Sequence, residues 1–251
     1  MILDDILAAT RERVRALGGR SFPLSSRKPR SLTGAVSRAP VKNPVIAELK
    51  FASPSKGRIR APVFPEQLAR DLVSGGCSAL SVLTEPRFFG GSEEFLPRVR
   101  GAVGVPVLRK DFIIDPIQLE ETAFLGADAV LLIASVLGTR LPGFVEGAMA
   151  LGIEPLVEVH TREETDAALR TGADLILVNN RDLRTMGIDL STTLSLGPVI
   201  HRAGRSAISA SGIGTPGDIR TLRPACDAFL IGTSLMASAD PARTLEGFVC
   251  A

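Results

Sequence analysis

The chain has 251 residues, of which 45% are hydrophobic and 22% are charged, and its formal net charge at neutral pH is +2. This length is near the upper size for a single hydrophobic core, so one domain is expected, and the near-neutral charge gives no general reason to expect nucleic acid as a partner. No apolar run reaches the roughly 18 residues of a membrane span, and the acidic start at 1–5 (MILDD) lacks the basic and apolar regions of a signal peptide, so a cytoplasmic protein is expected.

The N-terminal part is predicted to be a helix followed by a loop. Apolar residues recur at helical spacing over 2–17, and 18–42 is rich in Gly, Ser, Pro and Arg, with room for one short helical turn. The loop is locally basic because no acidic residue occurs between Glu12 and Glu48. Two interpretations stay open: a solvated connector, or a positive approach for an anionic substrate. Nucleic-acid binding would require interleaved aromatic residues, and the loop contains only Phe22.

After this loop, short β-branched or apolar runs alternate with amphipathic stretches. The eight runs occupy 45–51, 79–84, 106–112, 129–135, 154–160, 175–181, 206–211 and 228–233. The clearest amphipathic stretches between them are 65–75, 116–125, 139–151 and 161–171. Eight strand–helix repeats in one core-sized chain favour an α/β fold in which parallel βαβ units close into a (β/α)8 TIM barrel. An open doubly wound sheet is the alternative, but its Gly-rich fingerprint is missing after the first strand.

The predicted domain plan is a single barrel over 1–251. Residues 43–251 form the barrel itself, and 1–42 is an N-terminal extension whose helix could pack against either end. Asp115-Pro116 and Thr215-Pro216 are typical of the N-cap and the first position of a helix.

Polar residues interrupt the predicted strands toward their carboxyl ends, where a buried parallel strand should be almost continuously apolar. Because the active site of a barrel lies at these ends, five side chains are expected to converge on one mouth: Lys50, Lys110, Glu158, Asn179 and Arg181. Burying an unpaired charge is costly, so packing alone is a poor explanation for this set.

Other charged residues at these strand ends add to the prediction. Glu48 lies two residues before Lys50 on the same face of the first strand, and the two could form a structural ion pair. Arg109 and Asp111 point away from Lys110 and are interpreted as partners of helices outside the barrel. Two lysines and a glutamate can divide acid and base roles, and each lysine is expected to lower the pKa of the other.

Small residues end the last two strands. The seventh strand ends in 211–214 (SGIG) and the eighth in 231–234 (IGTS), and such residues let a ligand approach backbone N–H groups closely. The loops after these strands are the common phosphate site of barrels, and 53–57 (SPSKG) after the first strand adds a hydroxyl group. This pattern predicts a phosphate-bearing substrate. No P-loop motif is present, so a nucleoside triphosphate is not indicated.

Cysteine and histidine usage gives no case for a disulfide or a metal site. Cys77, Cys226 and Cys250 are odd in number and widely spaced, and no histidine cluster accompanies them. Free thiols in a reducing compartment are expected. His160 and His201 lie on different predicted elements and are interpreted as structural residues.

Seven segments, taken together, match one pattern of motifs. They are 44–57 (PVIAELKFASPSKG), 82–92 (VLTEPRFFGGS), 106–113 (PVLRKDFI), 126–134 (GADAVLLIA), 155–159 (PLVEV), 176–183 (ILVNNRDL) and 228–236 (AFLIGTSLM). In this order they resemble the indole-3-glycerol phosphate synthase family over nearly the whole chain, including the extra N-terminal helix. The resemblance implies a carbon–carbon lyase of tryptophan biosynthesis, a carboxy-lyase that needs no cofactor or metal. Its reaction converts 1-(2-carboxyphenylamino)-1-deoxyribulose 5-phosphate to indole-3-glycerol phosphate with release of carbon dioxide and water.

The resemblance also implies roles for residues. Lys110 would be the general acid that helps the substrate carbonyl oxygen leave, with Glu158 as its acid/base partner. Lys50 would hold the substrate carboxylate and share in proton transfer. The residues that would orient this set are Glu48, Asn179 and Arg181.

Other residues would bind the rest of the substrate. Those implied for the phosphate are Ser53, Gly212, Gly232 and Thr233, with Ser211 as a further substrate-binding residue. Those implied for the anthranilate ring are Pro54, Phe89, Phe112, Leu131 and Leu183. The expected partner is therefore a small sugar-phosphate/anthranilate molecule, with no nucleic acid and no membrane, and a monomer is expected rather than an oligomer.

One position departs from the family pattern. The family usually has Glu directly before the Ser-Gly-Ile of the seventh strand, whereas this chain has Ala210. In the family that carboxylate contacts the reacting part of the substrate, so its loss predicts a rate lower by a factor of ~10 to 10⁴. Ser209 points to the opposite face and should not substitute for it. The alternatives are a barrel that binds the phosphate ligand with weakened or lost turnover and, less favoured because the first strand ends in Glu and Lys, a phosphoribosyl-anthranilate-type isomerase.

Overall fold

A computed structural model describes residues 2–23, 28–39, 41–61, 64–182 and 185–251. Within these residues eight parallel strands close into one barrel, and they are β1 Val45–Leu49, β2 Ala79–Leu83, β3 Val107–Lys110, β4 Ala129–Ile133, β5 Glu154–Val159, β6 Leu175–Asn179, β7 Ser206–Ala210 and β8 Ala228–Ile231. Each strand pairs with the next along the chain, and β8 pairs with β1, with Ile46 opposite Leu230. The predicted TIM barrel is confirmed.

The strands end earlier than predicted. The predicted strand 106–112 ends at Lys110 and the predicted strand 175–181 ends at Asn179. The polar residues at these ends turn into the loops of the mouth instead of continuing the ladder. A short hairpin, 52–53 paired with 57–58, also forms after β1 and was not expected.

In the described residues, two helices precede β1 and the others follow the strands around the outside of the barrel. In the described residues they are α1 Ile2–Leu17, α2 Leu32–Ser37, α3 Pro65–Ser74, α4 Pro86–Phe89, α5 Phe95–Ala102, α6 Ile117–Phe124, α7 Ala134–Leu137, α8 Leu141–Ala150, α9 Arg162–Leu169, α10 Ser191–Arg202, α11 Pro216–Leu222, α12 Thr233–Ala237 and α13 Pro241–Val249. Thr215 caps α11 in a capping box with Asp218. The Asp115 side chain accepts the backbone N–H of Ile117 at 3.0 Å, as the predicted N-cap would, although α6 itself runs from Ile117, one residue later than predicted.

Hydrophobic side chains form one core inside the barrel and another between the sheet and the helices. Successive strand residues point to opposite sides, so Leu175 and Leu177 of β6 pack inside the barrel while Ile176 and Val178 pack against the helices. Because both faces are buried, the strands are nearly continuous apolar runs below the mouth.

The N-terminal extension reaches both ends of the barrel. The helix α1 lies at the carboxyl ends of the strands, where Arg13 Nη2 is 2.7 Å from Asp111 Oδ1, just after β3. The helix α2 lies at the opposite end, because the backbone N–H of Thr33 donates to Glu154 at the start of β5 at 2.7 Å. The predicted helix 2–17 is thus a helix at the mouth.

In its described part, the basic loop runs past the end of the barrel that lies away from the mouth. Arg30 donates from its backbone N–H to Asp128 at 2.8 Å and from Nη1 to the Val105 carbonyl at 2.9 Å, both at the amino ends of the strands. Leu32 and Val36 are buried against the barrel interior. The interpretation as a positive approach for substrate is therefore wrong for this segment, which closes the bottom of the barrel instead.

All three cysteines lie in the described part of the chain and are free thiols. Burial raises the pKa of Cys77 to about 12, and burial together with the charge of Asp227 does the same for Cys226. Thiols with such a pKa stay protonated and unreactive at neutral pH. A search of the described residues finds no helix with the length and apolar character of a membrane span.

Candidate active site

A cavity of about 400 Å³ opens at the carboxyl ends of the strands. Every predicted site residue within the described ranges lines it, namely Glu48, Lys50, Ser53, Pro54, Phe89, Lys110, Phe112, Leu131, Glu158, Asn179, Arg181, Ser211, Gly212, Gly232 and Thr233. Leu183, which was also predicted, lies outside the described residues. The cavity therefore brings together the residues predicted for catalysis, for the phosphate and for the ring.

Glu48 and Lys50 form an ion pair at the end of β1, with Lys50 Nζ 2.7 Å from Glu48 Oε1. Both residues also line the cavity, so an ionic contact between them does not remove them from the site. The other oxygen of Glu48, Oε2, is buried and has no hydrogen-bond partner among the described residues. A buried acceptor without a donor is costly, so the position of this carboxylate is set by its contact with Lys50 and not by a hydrogen bond to Oε2.

Gly232 packs directly against Glu48. A Cβ atom at position 232 would lie 2.3 Å from Glu48 Oε1 and 3.0 Å from its Cβ, well inside contact distance. Any larger residue would displace the Glu48 carboxylate. This glycine therefore leaves room for a charged group of the mouth, a role that no local pattern predicts because it depends on the pairing of β8 with β1.

Lys110, Glu158 and Asn179 meet across β3, β5 and β6. Lys110 Nζ is 3.4 Å from Glu158 Oε2, and Asn179 Nδ2 donates to Glu158 Oε1 at 3.0 Å. The carboxylate of Glu158 is almost fully buried, whereas the Lys110 side chain is 19% exposed and reaches the cavity. Each oxygen of the carboxylate thus has a different partner, which fixes its orientation.

Burial and mutual attraction set the charges of this pair. Burial lowers the pKa of Lys110, but the charges of Glu158 and Glu48 outweigh it and raise that pKa. Burial raises the pKa of Glu158, but the charges of Lys110 and His160 outweigh it and lower that pKa. The expectation that a second lysine lowers the pKa of Lys110 is therefore wrong here, because the carboxylates have the stronger effect. At neutral pH the pair is an ammonium and a carboxylate.

Arg109 and Asp111 face away from the barrel interior, as interpreted from the sequence. The buried guanidinium of Arg109 lies 2.7 Å from Glu121 of α6 and 3.2 Å from Asp111. Burial raises the pKa of Asp111, but hydrogen bonding from Arg13 and the charge of Arg109 outweigh it and hold the pKa at about 2. These residues support the loops and α1 from behind the site.

The loops after β7 and β8 are built from small residues in tight conformations. Ser211 and Gly212 have positive φ angles of 68° and 82°, and a Cβ at position 212 would lie 2.5 Å from Ile188. Ser234 Oγ donates to the Ile213 carbonyl at 2.8 Å and ties the two loops together. A serine with positive φ is uncommon, and such strain is often found at ligand sites.

The other wall of the cavity is apolar. Phe89 and Phe112 lie with ring centroids 6.1 Å apart. The sequence reasoning missed the contribution of α1, whose residues Ile2, Leu3 and Ile6 also line the cavity. Its amphipathic spacing predicted the helix, but spacing alone does not say at which end of a barrel the apolar face is buried.

Ala210 and Ser209 point in opposite directions, as alternation along β7 requires. Ala210 lines the cavity, opposite Asn179 on the neighbouring strand. Ser209 faces outward, where its Oγ is 2.8 Å from Thr193 Oγ1 of α10. Ser209 therefore does not replace the missing carboxylate.

His160, interpreted from the sequence as a structural residue, lies beside Glu158. Its Nε2 lies 3.5 Å from Glu158 Oε1, behind the cavity, and its Nδ1 lies 3.3 Å from Glu164 Oε2. It lies two positions after Glu158, so its place on the same face of the strand could be predicted from the sequence. The direction in which its ring points could not be predicted.

Comparison with known proteins decides the family. A model of the family described as indole-3-glycerol phosphate synthase matches residues 3–248. The chain belongs to the indole-3-glycerol phosphate synthase family. The resemblance inferred from seven sequence segments is thereby confirmed.

Relatives named indole-3-glycerol phosphate synthase match over nearly the full length of both chains. The one from Carboxydothermus hydrogenoformans is 43% identical and covers 98% of this chain and 98% of its own, and the one from Methanopyrus kandleri is 44% identical with 98% and 97% covered. Among solved structures, 3-hexulose-6-phosphate synthase is similar with a TM-score of 0.65 and 17% identity, covering 83% of this chain and 100% of that chain. At this identity the likeness concerns the barrel fold alone.

Proposed function

We propose that this chain converts 1-(2-carboxyphenylamino)-1-deoxyribulose 5-phosphate to indole-3-glycerol phosphate, with release of carbon dioxide and water, as a carboxy-lyase of tryptophan biosynthesis. One observation supports it most: the Lys110–Glu158 pair lies in one cavity with the Glu48–Lys50 pair. Two ammonium groups suit an anionic substrate, and two carboxylates can relay the protons that ring closure moves.

The proposed chemistry divides between these groups. Lys50 holds the carboxylate of the substrate against an aromatic wall, while the ring carbon that bears it attacks the carbonyl carbon of the sugar chain. Lys110 donates a proton to the carbonyl oxygen as the new carbon–carbon bond forms. Carbon dioxide then leaves from the ring, and the hydroxyl departs as water with a second proton. Glu158 exchanges the remaining protons with the substrate.

Neighbouring residues would hold the substrate for this sequence of steps. Glu48, Asn179 and Arg181 orient the charged groups. The phosphate lies against Ser53, Ser211, Gly212, Gly232 and Thr233, and the ring against Pro54, Phe89, Phe112, Leu131 and Leu183. The Arg181 guanidinium donates to the Met186 carbonyl at 3.1 Å, which steadies the loop after β6 beside the cavity.

A ligand-binding barrel with weakened turnover is the second candidate, and Ala210 is the observation that favours it. The isomerase alternative has less support, because β1 ends beside the Glu48–Lys50 ion pair. We further propose that the chain acts as a monomer in the cytoplasm on this small substrate alone. Sedimentation equilibrium would test the monomer, and a single species of twice the mass of the 251-residue chain would contradict it.

The activity is tested with the synthetic substrate and the fluorescence of the indole product. We expect product with the wild type and nearly none with Lys110→Ala, because the leaving oxygen loses its proton donor. Lys28→Ala is the matched control, since this exposed lysine lies at the opposite end of the barrel.

Two outcomes would contradict the proposal. No product above background from wild-type protein that still binds the substrate would favour the ligand-binding barrel. Unchanged product formation by Lys110→Ala would show that another group is the acid.

A further inference from the structure

His160, directly after β5, has both ring nitrogens opposite carboxylates. Nδ1 lies 3.3 Å from Glu164 Oε2 of α9, and Nε2 lies 3.5 Å from Glu158 Oε1. Glu164 Oε2 also accepts the backbone N–H of His160 at 2.7 Å. The ring is therefore anchored to α9 on one side and aimed at Glu158 on the other.

The surroundings of Nε2 favour a doubly protonated ring. This atom is buried and has no hydrogen-bond partner among the described residues, so the carboxylate of Glu158 is the charged group that it faces. Either neutral tautomer would turn a lone pair toward a carboxylate, toward Glu158 when the proton is on Nδ1 and toward Glu164 when it is on Nε2. An imidazolium turns an N–H toward both carboxylates, and a distance of 3.5 Å then corresponds to an ion pair.

We propose that His160 is a positioning residue for Glu158: as an imidazolium anchored by Glu164, it keeps this carboxylate ionised and turned toward Lys110. Asn179 and His160 both approach Oε1, which leaves Oε2 for Lys110. His160 does not line the cavity, so it acts through Glu158.

The charges around the ring support this assignment. Burial lowers the pKa of His160, but the hydrogen bond with Glu164 and the charge of Glu158 outweigh it, and the net direction is upward. Among the described residues, the charge of Lys110 on β3 opposes this upward shift of the His160 pKa. The helix α7 packs against β5 and α9 and has no ionisable side chain.

The charge of the ring can be measured directly, because the chain has only two histidines. Imidazole ¹⁵N–¹H spectra would be recorded against pH for the wild type and for His201→Asn, which removes the signals of the ring beside Asp227. We expect the pKa of His160 to lie above the ordinary value and to fall in Glu164→Gln, which keeps the ring but removes its anchor. A ring that titrates at or below the ordinary value would overturn the proposal, whether or not the protein is an active enzyme.

The kinetic consequence rests on the proposed function. His160→Asn removes a positive charge beside Glu158, so the pKa of Glu158 rises and the acid limb of kcat/KM moves to higher pH. Glu164→Gln should move the limb in the same direction, and His201→Asn should leave it unchanged. An unmoved limb in both variants beside Glu158 would show that the imidazolium is structural only and would overturn the proposal. Lack of product from the wild type would instead count against the proposed function and leave the titration result standing.

Discussion

Ala210 places only a methyl group in the ring of polar side chains at the strand ends. It stands between Asn179 on β6 and Leu230 on β8, on the inward face of β7. With no carboxylate at this position, the cations that line the cavity outnumber its carboxylates: Lys50, Lys56, Lys110 and Arg181 against Glu48, Asp111 and Glu158. The charge balance of the mouth thus depends on one residue.

Ala210→Glu is expected to raise kcat. A carboxylate at this position would contact the reacting part of the substrate, and acid–base or electrostatic groups of this kind are worth a factor of about 10 or more. Indole product formation at saturating substrate measures the effect, with Ala210→Gln as the control of the same shape without charge. An equal or lower rate for the glutamate variant would mean that this mouth is organised differently from the family pattern.

The chemistry of the mouth was predictable wherever a polar residue broke an apolar strand. Lys110 and Glu158 stand out because a buried strand has no other reason to contain them. The contacts of Gly232 with Glu48 and of His160 with Glu158 could not be predicted in this way. Their roles depend on which strand lies beside β1 and on the direction of one ring, and both are properties of the folded chain rather than of local pattern.

At the scale of elements, α1 is joined to the barrel by the contact of Arg13 with Asp111 and by an apolar face that lines the cavity. Asp111 Oδ1 lies 2.7 Å from Arg13 Nη2, and Asp111 Oδ2 accepts a hydrogen bond from the Thr84 hydroxyl at 2.6 Å. Because the pKa of Asp111 in the folded chain is about 2, below the ordinary 3.8, its charge stabilises the fold above about pH 4. That stabilisation is lost as the pH falls through about 2.

Arg13→Met is expected to loosen α1 and to weaken substrate binding. Asp111 loses one partner, at a cost of about 1–3 kcal/mol, and the helix lines the cavity with Ile2 and Ile6. Hydrogen exchange in α1 should become faster and KM should rise. Arg15→Met, an exposed position on the same helix, is the matched control. Equal exchange rates in the two variants would show that the ion pair does not hold the helix.

At the scale of the whole molecule, the barrel is closed below by α2. Leu32 has no exposed surface. It belongs to the hydrophobic cluster inside the barrel, together with Ile46, Ala79 and Leu108. The sequence predicted a short helical turn in this loop but not its place, because the turn has too few residues for its burial pattern to be distinctive.

Leu32→Ala is expected to lower the free energy of unfolding by about 2–5 kcal/mol, since it leaves a cavity where the interior meets α2. Urea unfolding followed by circular dichroism measures the change. Leu194→Ala on α10 is the control, because that leucine is 41% exposed and should cost much less. A loss no greater than that of the control would mean that α2 does not contribute to the barrel core.

The N-terminal extension, which reaches both ends of the barrel, can dock only after the residues that it contacts have been made. The helices α1 and α2 leave the ribosome before Asp111, Asp128 and Glu154, to which residues of this extension bind. The helix α1 cannot reach its final place until Asp111 has emerged, and α2 cannot do so until Glu154 has emerged, when more than half of the chain has been made. These two helices are therefore made before the strands on which they dock, and until they dock the nascent barrel is open at both ends.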